Sequence, residues 1–154
     1  MKTIMRIAAT TAASAAILCA TTLAAAGTAS ANESATNCNT TYWDACLTLY
    51  YNSNQAGSHT AFQGGDADFV DNKFLSSGAG QGQGVKNNAA SAWFWSVSSS
   101  ARYGAIYYNS NQQGPCDAIA ANWFANQLHY TYNENASWIQ APTSSYVSGC
   151  YIFS

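Results

Sequence analysis

The chain has 154 residues, of which 48% are apolar and only 8% charged, with a formal net charge of −2. Its five lysines and arginines cannot build the clustered basic surface that a phosphate backbone requires, so nucleic acid is excluded as a partner.

The first 31 residues read as a separate object. Lys2 and Arg6 give a positive start, Ile7 to Ala26 is small and apolar, and Ala29, Ser30 and Ala31 form an A-x-A cleavage site, the pattern of a secretory signal peptide. Thr and Ser dilute the run, and no later stretch is long or apolar enough to span a bilayer, so no membrane segment is expected. Leu18 stands where a small residue would precede a lipidated cysteine, which sets Cys19 aside as an anchor. Residues 1–31 are therefore expected to be cleaved, leaving residues 32–154 as one soluble, secreted, monomeric domain. In that part Lys73, Lys86 and Arg102 oppose seven carboxylates, three minus seven giving −4.

Cys38, Cys46, Cys116 and Cys150 form an even set in an exported chain, which predicts two disulfides. Three pairings are open; Cys38 with Cys46 and Cys116 with Cys150 is favoured because each pair then lies beside one repeat. No CxxC pair or spaced histidine pair supports a zinc site.

The repeat is the most informative part of the sequence. Leu49 to Gly57 reads LYYNSNQAG and Ile106 to Gly114 reads IYYNSNQQG, identical at seven of nine positions. Each copy is followed, in the same order, by a second match, Asn87 to Ser91 (NNAAS) and Asn133 to Ser137 (NENAS). Matches that keep their order mark a duplicated supersecondary unit. Period two dominates within each copy: Leu47, Leu49 and Tyr51 share one face, as do Ile106 and Tyr108. Trp93, Trp95 and Val97 alternate with Ala92, Phe94 and Ser96 in the same manner. Asn52 to Gly57 and Asn109 to Gly114 then read as hairpin turns, with Asn and Gly supplying positive φ. Ser76 to Gly84 (SSGAGQGQG) has no counterpart in the second copy and reads as a flexible exposed loop. No strand is obvious in Asp117 to Asn122, which makes Trp123 and Phe124 the expected exposed aromatic pair. Because one small sheet buries too little surface, the two units are expected to pack as one all-β sandwich.

With Tyr50, Tyr51, Gly57 and Ser91 in the first copy and Tyr107, Tyr108, Gly114 and Ser137 in the second, the sequence resembles the βγ-crystallin fold. That implies a double Greek-key β-sandwich built from two repeated motifs, about 38–97 and about 102–140, followed by a C-terminal tail tied by a disulfide. More narrowly, the export signal, the early paired cysteines, LYYNSNQAGS and VKNNAASAW resemble the secreted actinobacterial family related to the Streptomyces metalloproteinase inhibitor. This resemblance implies a non-enzymatic peptidase inhibitor that presents a rigid loop to the cleft of an extracellular thermolysin-like metalloprotease. The reactive bond of that family lies in a short cysteine-bounded loop, whereas Cys116 here is followed by DAIAANWF; Cys116, Asp117, Ala118 and Ile119 are its weak candidates.

The fold resemblance also implies calcium, since many microbial βγ-crystallins bind it through two Asn or Asp, two variable residues and then Ser or Thr. Asn87, Asn88 and Ser91 match that pattern, and Asn133, Glu134 and Ser137 match it less fully. Only Glu134 brings charge, so any site would be of modest affinity and no cofactor is required. The same residues equally serve as Asx and Ser turns without metal. Asp66, Asp68, Asp71 and Asn72 lack the spacing of an EF-hand and read as a solvated turn. His59 and His129 are the chain's two imidazoles, and neither sits in a catalytic motif. Five tryptophans leave a polysaccharide as the alternative partner, through an exposed aromatic face.

Overall fold

The structure, a computed structural model, describes residues 32–36, 38 and 43–154; the segment read as a signal peptide lies outside the described residues. In chain order the strands are β1 (Asn32–Ser34), β2 (Ala45–Asn52), β3 (Ala56–Gln63), β4 (Ser91–Ser96), β5 (Tyr103–Asn109), β6 (Gln113–Ala120), β7 (Trp123–Ala125), β8 (Ser137–Ala141) and β9 (Tyr151–Phe153). Short 3-10 turns occupy Phe69–Asp71 and Ser144–Val147.

The strands form a five-stranded sheet in the order β1-β3-β2-β4-β7 and a four-stranded sheet in the order β8-β5-β6-β9. Pairing is antiparallel throughout except for β6 with β9, which run parallel. Each repeat sends a segment to the other repeat's sheet. β7, from the second repeat, pairs with β4, from the first. Reciprocally, Asp66 of the first repeat bridges Trp138 in β8, each donating its N–H to the other's carbonyl at 2.9 Å. Two Greek keys thus share one sandwich.

Alternation along the strands decides what lies between the sheets. Leu47 and Leu49 of β2, Phe62 of β3, Phe94 of β4, Ile106 of β5 and Trp138 of β8 are all fully buried in one cluster. Each such side chain contributes roughly 1.5–3 kcal/mol. On the opposite face of the first sheet, Trp93 and Trp95 pack with Trp43, Ala61 and the Cys38–Cys46 disulfide. Val97 lies beyond the end of β4 and is exposed. The second disulfide joins Cys116 in β6 to Cys150, immediately before β9, so both bonds follow the pairing favoured by adjacency to the repeats.

Two segments depart from the sequence reading. Asp117 to Ala120, where no strand was expected, is the inner part of β6, with β5 on one side and β9 on the other. Burial on both faces removes the polar alternation that marks a half-buried strand. The Gly-rich segment is exposed around Ser77 to Ala79 but pinned over the first hairpin. Ser58 donates its N–H to Ala79 O at 2.8 Å, and the Gly82 and Phe74 N–H groups reach Phe74 O at 2.8 Å and Gln83 O at 3.0 Å. Gly80, at φ +86, lies against the face of the Tyr51 ring, where a Cβ would overlap it.

Gly80→Ala should therefore lower stability by about 3 kcal/mol, through overpacking added to left-handed strain. Gly82 has φ +80 and nothing within 4 Å of a Cβ, so Gly82→Ala should cost only about 1 kcal/mol. Urea unfolding measures both, and equal losses would remove the Tyr51 contact as the reason for glycine at position 80.

Candidate functional site

The duplicated nonapeptides form two equivalent corners. Asn54 and Gln55 have φ of 60° and 54°, and Asn111 and Gln112 have 60° and 56°, followed by Gly57 and Gly114 at 78° and 81°. Left-handed backbone at non-glycine residues persists only where the surroundings hold it. Here the holding group is a buried serine. Ser91 Oγ accepts from Gln55 N at 3.0 Å and donates to Asn52 O at 2.6 Å. Ser137 Oγ makes the same two bonds, with Gln112 N at 3.0 Å and Asn109 O at 2.7 Å. Each corner also grips the exchanged strand. Asn54 N–H and Gln55 Nε2 donate to Asn126 O and Ala125 O, while Asn111 N–H and Gln112 Nε2 donate to Ala67 O and Asp66 O.

The Asn-x-x-x-Ser turns meet beside these corners. Asn87 and Asn133 have φ of 62° and 55°, and their N–H groups cross over to Asn135 O and Ala89 O at 2.8 and 2.9 Å. A groove of about 440 Å³ next to the first corner is lined by Tyr51, Asn52, Ser53, Asn88, Ala90, Tyr132 and Asn133. Asn88 Nδ2 donates to Gly84 O and Lys86 O. Neutral oxygens of this kind suit a hard cation in type, but no carboxylate lines the groove, so any such ion would be held weakly. Asn87 and Glu134 are exposed and outside that lining, and Ser91 and Ser137 are buried in the clamps.

The second corner differs. Lys86 stands where the repeat places Tyr132, and its Nζ bonds Asp68 Oδ1 at 2.7 Å and Ser110 Oγ at 3.0 Å, Ser110 being the counterpart of Ser53. Partial burial pushes the Asp68 carboxyl up, but its bonds to Lys86 and Ser110, the Lys86 charge and the Val70 N–H together hold it below the usual range. A side-chain ammonium thus already occupies this corner.

Other candidates fall into structural places. Asp66 and Asn72 are buried rather than solvated, and the Asp68 carboxylate caps the 3-10 turn at Val70 N–H. His59 lies in β3, its ring 5.4 Å from that of Tyr50 and its Nδ1 3.0 Å from Ser76 Oγ; burial pushes its pKa down. Cys116, Asp117, Ala118 and Ile119 are all buried within β6 and form a strand, not a projecting loop. The Asp117 carboxylate accepts from the N–H groups of His129, Tyr130 and Thr131 at 2.9–3.1 Å and from Thr131 Oγ1 at 2.7 Å. Trp123 and Phe124 are exposed, as the sequence indicates, and so are Tyr130 and Tyr151. Neither Tyr130 nor Tyr151 stands out in sequence; the signal that marks them is the scarcity of charge after Asp117, where Glu134 is the one charged side chain.

No protein-family model matches the chain, and no curated protein matches it. Among solved structures it is similar to one described as "Evolution of the eye lens beta-gamma-crystallin domain fold". The two superpose with a TM-score of 0.51 at 14% identity, over 71% of this chain and 95% of the other. The chain has the βγ-crystallin fold. At that identity the likeness extends to architecture, and the narrower resemblance to the metalloproteinase-inhibitor family rests on the sequence motifs alone. In this βγ-crystallin-like sandwich the motif serines are corner clamps.

Ser91→Ala and Ser137→Ala would each leave a glutamine N–H and an asparagine carbonyl without their buried partner, at a cost of about 1–3 kcal/mol. Urea denaturation should show similar losses for the two, as the equivalent geometry requires. A loss below about 0.5 kcal/mol in either would mean that water replaces the hydroxyl.

Proposed function

We propose that this chain is a secreted, non-catalytic protein that inhibits an extracellular thermolysin-like metalloprotease by binding it. Rigidity carries the reading. Two disulfides and two clamped corners hold the strands in one arrangement. A surface already fixed in its bound shape loses little entropy on association and releases its partner slowly. The disulfides suit an extracellular setting. The export-type first 31 residues and the motifs LYYNSNQAGS and VKNNAASAW support the choice of protease. The imidazoles are engaged structurally, His59 with Ser76 and Tyr50 and His129 stacked on Tyr151, which favours binding over catalysis. Because the Cys116 to Ile119 segment is interior, the inhibitory contact belongs to an exposed segment elsewhere. Purified residues 32–154 should inhibit thermolysin, and no inhibition at about 50 µM, a Kd too weak for an inhibitor, would overturn the metalloprotease reading.

A second reading is favoured by the neutral oxygen-lined groove at the first corner, which would take calcium with modest affinity. Calcium at about 5 mM should then raise the melting temperature by a few degrees, and Asn88→Ala should abolish the rise. An unchanged melting temperature in the unsubstituted protein would dismiss this reading.

A further inference from the structure

We propose that the surface where β7 and β9 meet binds a neutral polysaccharide of the cellulose or chitin type, by stacking its pyranose rings on exposed aromatic side chains. Trp123, Phe124, Tyr130 and Tyr151 are each 43–45% exposed. Single exposed rings are ordinary on a soluble protein, but a contiguous set marks an interaction surface. β7 and β9 have Cα atoms within 8 Å of each other, so the two groups of rings flank one seam.

The rings form two stacked pairs, with Tyr130 edge-on to the second. Trp123 and Phe124 lie within 8° of parallel with centroids 5.8 Å apart, and His129 and Tyr151 lie within 10° at 4.3 Å. Tyr130 stands edge-on to His129 at 4.4 Å. In each stack one face of a ring is covered by its partner, so a sugar would lay its apolar C–H face on the outer face of the pair.

The cluster is held in place from beneath. The buried Asp117 carboxylate accepts the His129 and Tyr130 N–H groups, and the same residue is in register with Tyr151 across β6 and β9. The Cys116–Cys150 disulfide sits one residue before both Asp117 and Tyr151 and pins the strands together. A carboxylate without hydrogen bonds would be costly to bury, so its N–H partners are fixed with it. The rings are thus positioned before a ligand arrives, which lowers the ordering cost of binding.

Charge selects the class of ligand. Past Asp117 the chain carries one charged side chain, Glu134, so the segments that bear the rings add little charge to attract an anionic or cationic polymer. Asn126 and Gln127, both exposed and close in sequence to the rings, bring amides that can hydrogen-bond sugar hydroxyls.

The test is retention of purified residues 32–154 on microcrystalline cellulose and on chitin, alongside Trp123→Ala/Phe124→Ala, Tyr151→Ala and the control Tyr146→Ala. Tyr146 is exposed in the 3-10 turn that packs on β5 and β8. The unsubstituted protein and the control should be retained on at least one polymer. Loss of two stacking rings should weaken retention about tenfold. Melting curves should show the Trp123→Ala/Phe124→Ala protein folded, since both side chains are exposed. Retention on neither polymer, or retention unchanged in both aromatic variants, overturns the proposal. Should the double variant lose thermolysin inhibition while no polymer retains the unsubstituted protein, the surface belongs to a protein partner and the proposal also falls. Thermolysin inhibition unaffected by the double variant, together with its loss of polymer retention, supports two separate binding activities.

Discussion

The fold depends on a corner that each repeat builds once. A hairpin forced into left-handed backbone at Asn54 and Gln55, or at Asn111 and Gln112, is stable only because a serine hydroxyl from a later strand bonds both its N–H and its carbonyl. The same glutamine then reaches the strand exchanged from the other repeat. Hairpin geometry, strand entry and the joining of the two motifs are therefore set by one cluster of hydrogen bonds. That explains why the chain repeats Asn-Ser-Asn-Gln: in both copies these residues serve the same corner.

Much of the architecture was legible because it is local. The period-two alternation of β2 and β4, the turn chemistry of the nonapeptides and the adjacency of each cysteine pair to its repeat all depend on residues close in sequence. What escaped depended on neighbours distant in the chain. The inner part of β6 has no outward polar face, and its one charged residue, Asp117, is satisfied by hydrogen bonds from a loop more than ten residues away. The Gly-rich segment looked mobile because glycine is permissive, yet it is ordered by Tyr51 and the first hairpin. Of the candidate metal residues, Asn88 and Asn133 converge on the groove, whereas Ser91 and Ser137 are taken up as clamps and Asn87 and Glu134 lie outside it.

The departures from symmetry are as informative as the symmetry. Lys86 and Tyr132 occupy matching places, and the lysine closes its corner with an internal cation while the tyrosine leaves a groove. The halves also differ in surface. The first carries most of the charged residues, and the second carries the exposed rings that Asp117 and the Cys116–Cys150 bond hold. Duplication supplied a frame whose equivalent positions were free to diverge wherever they did not form a clamp.

The exchange of segments between the repeats bears on how the chain folds and assembles. The first sheet takes its edge strand β7 from the second repeat, and the second sheet takes the Asp66 bridge from the first, so neither half has a complete edge when alone and the two fold cooperatively. The contacts that complete each sheet come from far along the sequence, which makes folding slow relative to local hairpin closure. A half that meets the complementary half of another molecule first finds the same partner surface. The connection Val97 to Arg102 is then a natural hinge for a swapped dimer, in which each serine clamp stays within one chain while the bonds from Asn54, Gln55, Asn111 and Gln112 to the exchanged segments run between two chains.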